Sequence, residues 1–331
     1  MNNEVHAKIL ALGSGFPERV VTNFDLEKLV DTSDEWIRQR SGIVNRRWLS
    51  EGEQNSDLGA RATRAALEKA GLGPMDLDMI IYCTCSPDKI LPATACIMQA
   101  KIGAMRAVAF DIEAACAGWL LGVSIAEQYV KSGAAKTVLV VGAEALTRFL
   151  NKQDRNTCVL FGDGAGAAII TRAEPGEASR IFPTAMVSDG NYESILDIKG
   201  GGSACPTTPA VLERGDQYIS MNGKEVFKFA VRALIERAQD ALAKAGVTAN
   251  DITWLVPHQA NIRIIEAICD KLGIPMARTV LNVHKYGNTS AATIPTALDE
   301  AVEEEKVKRG DLLLLVTFGG GLTSAATVVR W

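Results

Sequence analysis

An α/β protein made of two similar halves is expected from three features of the chain. Short, continuously apolar segments alternate with longer segments of helical period, the pattern of strands buried on both faces with helices packed over them. Motifs of the first half return in the second. Finally, 331 residues of which 47% are hydrophobic can bury a large core and suit two fused halves. We place these halves at residues 1–174 and 175–331, with the boundary inside the polar stretch Thr171-Arg-Ala-Glu-Pro-Gly-Glu.

Taken in order, Lys8-Ile-Leu-Ala-Leu-Gly reads as a strand, and the following Gly-Ser-Gly-Phe-Pro as a turn that lacks the third glycine of a dinucleotide fingerprint. Thr32-Ser-Asp-Glu-Trp36 has the capping oxygen and early acids of a helix start, and leads to Arg38, Arg40, Arg46 and Arg47. Leu58 to Ala70 has the period of an amphipathic helix and is followed by a strand from Met79. Ala107 to Ile112 reads as a strand running into a helix, Cys116 to Val130, whose apolar positions are too many for one face; that helix is expected to be buried all round. Lys136 to Glu144, Ile252 to Val256 and Thr279 to Val283 read as further strands. Lys199 to Pro209 reads as a long irregular loop over the site.

Composition excludes several classes. No apolar run reaches the eighteen residues of a membrane span, and Met1-Asn-Asn-Glu-Val-His is not the start of a signal peptide, so a cytoplasmic protein is expected. Seven cysteines, an odd number with no Cys-x-x-Cys pair, argue against a disulfide framework and against a zinc site. A net charge of −4 gives no reason to expect nucleic acid as a partner.

The repeat brings the chemistry together. Ala70-Gly-Leu-Gly to Ile81 matches Ala245-Gly-Val-Thr to Val256, and Gly133 to Gly142 matches Gly310 to Gly319; the offset of 172 to 177 residues sets Cys116 opposite Asn288 and Cys83 opposite His258. Pseudo-twofold packing of such halves brings equivalent strand ends together, and ligands of α/β sheets bind outside the carboxyl ends of strands. Cys116, His258 and Asn288 therefore belong in one crevice.

Each candidate has a plain alternative. A cysteine between a core strand and a buried helix meets unpaired N–H groups and the positive end of the helix dipole, which favour thiolate; it could equally fill space. His258 leaves a buried strand through Pro257, whereas His6 is terminal and His284 neighbours Lys285. Asn288 taken alone would be a helix cap. Phe318-Gly-Gly-Gly allows backbone amides close to a substrate, where one donor to a developing oxyanion is worth about 2.7 to 4 kcal/mol. Arg263 and the stripe Lys224, Lys228 and Arg232 could form a docking face for an acidic partner.

Several long motifs in order, Thr32-Ser-Asp-Glu-Trp-Ile, Ala114-Ala-Cys-Ala-Gly, Phe161-Gly-Asp-Gly-Ala-Gly-Ala-Ala, Val256-Pro-His-Gln-Ala-Asn-Ile-Arg, Tyr286-Gly-Asn-Thr-Ser-Ala-Ala and Phe318-Gly-Gly-Gly, resemble the β-ketoacyl-[acyl-carrier-protein] synthase III family of thiolase-like condensing enzymes over almost the whole chain. The resemblance implies thiolase-like duplicated α/β halves forming a five-layer αβαβα sandwich. It implies Cys116 as the acyl-accepting nucleophile with His258 and Asn288, an oxyanion hole from the Cys116 and Gly320 amides, and Trp36 and Arg155 on the adenine end of coenzyme A. Arg263 and Lys228 would face the carrier protein, and Leu91 would limit the acyl pocket across a homodimer.

The implied reaction is decarboxylative condensation of an acyl-CoA primer with malonyl-[acyl-carrier protein], the initiation step of type II fatty acid biosynthesis. His258 and Asn288 would donate to the enolate oxygen. Acyl-CoA is a substrate in this scheme, and no metal or redox cofactor is needed. Three features depart from the family pattern: Glu113 close to the nucleophile, Trp119 where phenylalanine is common, and Ser324-Ala325 after the glycines. Glu113 is expected to point away and cap a backbone N–H. The rival reading is a synthase III-like starter-unit condensing or acyl-transfer enzyme of secondary metabolism. A degradative thiolase would need a second active cysteine where Asn288 stands, and a Cys-His-Asn hydrolase would need no malonyl substrate.

Overall fold

The computed structural model describes residues 5–331. Met79–Cys83 and Leu312–Gly319 are buried along their whole length and Thr137–Glu144 from Val138 onward, which explains their continuous apolar sequence. They are the inner strands of two sheets. The first runs in the order Ala7–Gly15, Gly164–Arg172, Thr137–Glu144, Met79–Cys83, Val108–Ile112; its first two pairings are antiparallel and its last two parallel. The second repeats that order with Arg180–Ile181, Thr323–Arg330, Leu312–Gly319 and Trp254–Pro257, while Ala185–Ser188 pairs alongside Thr323–Arg330.

In the fifth place of the second sheet Thr279 makes one parallel bridge to Leu255. The strand expected at Thr279 to Val283 is thus reduced to a bridge. The amides of Asn282 and Val283 donate to Oε1 of buried Gln259, at 3.0 and 3.2 Å, and the chain turns into the short helix Val283–Tyr286.

Helices Gly118–Ser132 and Thr293–Glu303 lie between the sheets. Trp119, Leu120 and Val123 of one and Ile294 and Leu298 of the other pack with Ile81 and Val140 from the first sheet and Leu313 and Leu315 from the second. Asn55–Ala70 and Thr94–Ile102 cover the far face of the first sheet, and Gly223–Ala245 and Ile262–Leu272 that of the second. The result is five layers, αβαβα, in which each fully buried Val, Leu or Ile side chain contributes about 1.5 to 3 kcal/mol.

The duplication has a fixed spacing where it shapes the site. The strands starting at 79 and 254, the tight turns starting at 115 and 290 and the strands starting at 137 and 312 are each 175 residues apart. The turns match in backbone too, with Ala115 at φ 44° and Ser290 at φ 51°. At this spacing Cys83 stands opposite His258, but Cys116 stands opposite Ala291, and Asn288 opposite Glu113. The register inferred from sequence was therefore three residues out for Cys116: its offset of 172 residues departs from the constant 175 that the strands and turns share.

Residues 199–208 form the irregular loop expected, with no helix or strand of their own. Thr208 caps a helix Pro209–Arg214, and Leu196–Asp197 pairs with Ser220–Met221 to close a small ribbon over the site. No helix among the described residues is long and apolar enough to cross a membrane.

Candidate active site

Cys116 sits on the turn Ala115–Ala117, immediately before the buried helix Gly118–Ser132. Thr317 Oγ1 donates to its carbonyl at 2.8 Å. A Cβ on Gly319 would lie 2.6 Å from the Cys116 nitrogen, so only glycine lets the strand end abut the nucleophile. Two cavities meet at this cysteine. The wider, about 530 Å³, is lined by His258, Asn288 and Phe318 inside and by Trp36, Arg155 and Arg263 at its mouth. The narrower, about 400 Å³, is lined by Cys85, Leu146, Leu196, Ile198, Ile219, Glu113, Ser290 and Gly320.

His258 follows the strand Trp254–Pro257, and its amide donates to Val316 O at 2.8 Å. Its Nδ1 lies 2.6 Å from Thr293 Oγ1, and that hydroxyl donates its single proton to Ser290 O at 2.9 Å. Nδ1 is therefore the donor and Nε2 carries the lone pair. Burial pushes the ring pKa down to about 3, so it is neutral. At rest His258 therefore offers an acceptor at Nε2, and the donation to an enolate oxygen expected of it requires the other tautomer.

Asn288 is held by a bridge to Phe161, its amide donating to Leu160 O at 2.9 Å. Its Oδ1 accepts from Ser290 N at 2.8 Å, which leaves the Nδ2 group to donate elsewhere.

The thiol of Cys116 is pushed up to about 12. Burial is the main cause; the Ser290 hydroxyl and the cysteine's own amide oppose it, while the charges of Glu144 and Glu113 add to it. Against the thiolate that a helix start favours, desolvation and two carboxylates hold Cys116 as a resting thiol. Glu113 does cap the turn, its Oε1 accepting from Ala115 N at 2.9 Å, yet it also lines the narrower cavity.

Glu144 went unnoticed in the sequence, where its only signal was a charge at the end of a wholly apolar strand. It is fully buried. Its oxygens accept from Ser86 Oγ at 2.5 Å, Thr84 Oγ1 and the Cys85 amide at 3.2 Å, Cys85 Sγ at 3.4 Å and Ser290 Oγ at 3.0 Å. Burial pushes it up to about 7, against those donors.

At the mouth of the wider cavity the Arg155 guanidinium stands 5.1 Å from the Trp36 ring centroid, and that of Arg40 5.7 Å. Arg263 lies over Phe227, and Lys224 reaches the cavity wall, while Lys228 is exposed one turn further along the same helix. Arg46 does not belong to this cluster: it is buried and donates to Asn23 Oδ1 at 2.7 Å and Val159 O at 2.8 Å. Trp119 and Ser324 are buried in the core layers, away from both cavity linings. Leu91 is 84% exposed and lines neither cavity of its own chain.

A cysteine at the junction of two cavities, with an amide donor and an imidazole on one side and a glycine turn beside it, is suited to acyl transfer through sulfur. Comparison with known proteins agrees. Residues 110–190 match the family described as 3-oxoacyl-[acyl-carrier-protein (ACP)] synthase III, and residues 242–331 its C-terminal part. The chain is 49% identical over 326 residues to β-ketoacyl-[acyl-carrier-protein] synthase III of Roseiflexus sp. (strain RS-1), covering 98% of both chains. It is 50% identical over 325 residues to the protein of that name from Clostridioides difficile (strain 630), again covering 98% of both. The crystal structure of 3-oxoacyl-[acyl-carrier-protein] synthase III from Aquifex aeolicus VF5 superposes with a TM-score of 0.90 at 47% identity, over 98% of this chain and 100% of that one. The chain belongs to the 3-oxoacyl-[acyl-carrier-protein] synthase III family, and its five layers are the thiolase-like fold.

Proposed function

We propose that the chain condenses an acyl-CoA primer with malonyl-[acyl-carrier protein] to give β-ketoacyl-[acyl-carrier protein], the initiating step of type II fatty acid synthesis, without a metal or redox cofactor. The observation that carries this reading is the meeting of two cavities at Cys116, one wide and rimmed by cations, the other narrow and largely apolar. The wide one suits the pantetheine arm of either substrate, with Trp36 and Arg155 on the adenine end of coenzyme A and Arg263 and Lys228 facing an acidic carrier. The narrow one suits the acyl tail.

Cys116 attacks the primer thioester, the Cys116 and Gly320 amides hold the oxyanion, and CoA leaves. Malonyl-carrier protein then loses CO2, and the Asn288 Nδ2 group donates to the enolate oxygen. His258 joins it in the other tautomer, with Thr293 turning its hydroxyl from the Ser290 carbonyl to Nδ1. The carbanion takes the acyl group from sulfur. A homodimer supported by the apolar edge strand Val108–Ile112, whose Val108 is 54% exposed, would bring Leu91 of one copy to the acyl pocket of the other.

Intact-protein mass after mixing wild type and Cys116→Ala with acetyl-, butyryl- and longer acyl-CoA tests the reading. We expect one acyl adduct on wild type only, discharged by malonyl-carrier protein with release of CO2. No adduct with any primer would count against it.

A further inference from the structure

A resting thiol poses a question the scheme above leaves open: what takes its proton. The side chain facing Cys116 with a hydrogen-bonding group is Ser290, which lines the same narrow cavity. Ser290 Oγ lies 3.0 Å from Glu144 Oε1 and donates to it, since a carboxylate only accepts. The hydroxyl oxygen is then left to accept from the thiol. Thiol, hydroxyl and carboxylate thus stand in series, contributed by the turn before one central helix, the turn before the other, and the end of the strand Thr137–Glu144.

We propose that Ser290 and Glu144 form a proton relay for Cys116, a reading that rests on the acyl transfer assigned above. As the S–H bond breaks, the thiol proton passes to Ser290 Oγ and the Ser290 proton passes to Glu144 Oε1, leaving a thiolate, an unchanged serine and a neutral carboxylic acid. The sulfur forms its bond to the thioester carbon, the bond from that carbon to the CoA sulfur breaks, and the proton returns through Ser290 to the departing CoA thiolate. Ser290 lines the cavity beside the reacting sulfur and would pass its proton on; Glu144 acts through it as a positioning residue and proton store. The charge that Glu144 loses in this step is the larger of the two that disfavour thiolate, so transfer also removes a repulsion.

The surroundings make the relay visible in a pH profile. Glu144 changes charge near neutrality, whereas the groups that feel its charge, Tyr82 and Cys83 on the adjacent strand, Cys85 on the loop beyond it and Cys116 itself, are all pushed above their ordinary range. Glu113 lines the same cavity as a second carboxylate, and His258 on the other side titrates far lower. With Glu144 protonated the relay is blocked. Once it is ionised, thiol and carboxylate share a single proton and further rise in pH adds nothing until the thiol itself titrates.

The test uses iodoacetamide on the full-length protein, with the rate of Cys116 alkylation followed by mass from pH 5 to 10, because this reagent needs no recognised substrate. Wild type should rise through an ionisation near 7 and level off. Glu144→Gln and Ser290→Ala should lose that ionisation, continue to rise with pH, and react at least tenfold more slowly at pH 8; Glu144→Asp should retain it. Single-turnover acylation by acetyl-CoA should slow in parallel at saturating donor. If Glu144→Gln does not fold, Ser290→Gly, which suits the left-handed backbone at φ 51°, is read alone. Folded variants with the wild-type profile would overturn the relay, as would an ionisation that vanishes only in His258→Gln. A relay profile in a wild type that takes no acyl group from any acyl-CoA would leave the relay standing and sink the assigned reaction.

Discussion

Cys116 is a thiol at rest because burial and two carboxylates oppose charge more than one hydroxyl and its own amide favour it, and that shifts attention from the nucleophile to its neighbours. The sequence made the cysteine legible, since a thiol between a strand and an all-round buried helix is an uncommon arrangement. Its protonation state was not legible, because Glu144 and Ser290 reach it from other parts of the chain. His258 shows the same limit: Pro257 and the strand announced it, but the tautomer is decided by Thr293, which the sequence did not single out. Trp119 offers a prediction at this scale. Its indole nitrogen is buried with no hydrogen-bond partner among the described residues, and an unsatisfied donor costs about 1 to 3 kcal/mol. Trp119→Phe removes that donor and leaves a small void, two effects of opposite sign, so urea unfolding should place it within about 1 kcal/mol of wild type. A loss beyond about 3 kcal/mol would mean that the indole nitrogen is satisfied in solution.

The central helices are the elements on which the layers depend, and Gly118–Ser132 is packed too tightly to gain from better helix propensity. Gly122 faces the first sheet, where an added Cβ would meet Cys83 Sγ at 2.7 Å and Val140 Cγ1 at 2.8 Å. Alanine in a helix interior gains about 1 kcal/mol over glycine, whereas overfilling a packed core costs about 1 to 3 kcal/mol. Packing should win: Gly122→Ala is expected to lower the midpoint of thermal unfolding, and a raised midpoint would show that the layers can part. Among elements, the wholly apolar strands and the all-round helix were readable because burial on both faces leaves a continuous apolar run. The Thr279 bridge was not, because Gln259 takes up the amides of Asn282 and Val283, a contact with no signature in local pattern.

For the whole molecule, the repeat was readable at its strands only to within two residues, so the sequence brought the three site residues to one crevice while misaligning Cys116 by three positions. The outer surface adds a feature that no pattern announced. The edge strand Val108–Ile112 and the nearby loop expose Val108 at 54%, Leu91 at 84% and Ile90 at 91%. An unprotected apolar edge is a ready interface. Sedimentation should show a dimer, and Leu91→Asp should shift it toward monomer by at least tenfold in dissociation constant; an unchanged monomer in wild type would assign this edge another role.

The junction of two cavities at one sulfur also governs traffic. In the proposed reaction both large substrates would use the same cation-rimmed corridor, while the stored chain would lie in the narrower cavity beyond the cysteine. The corridor would then work as a queue: the spent first carrier would have to withdraw before the second could advance, and any molecule shaped like that first carrier would stand in the way of its successor. Free coenzyme A is then expected to compete against malonyl-carrier protein, so the ratio of free to acylated coenzyme A in the surrounding pool would set the pace at which new chains are begun.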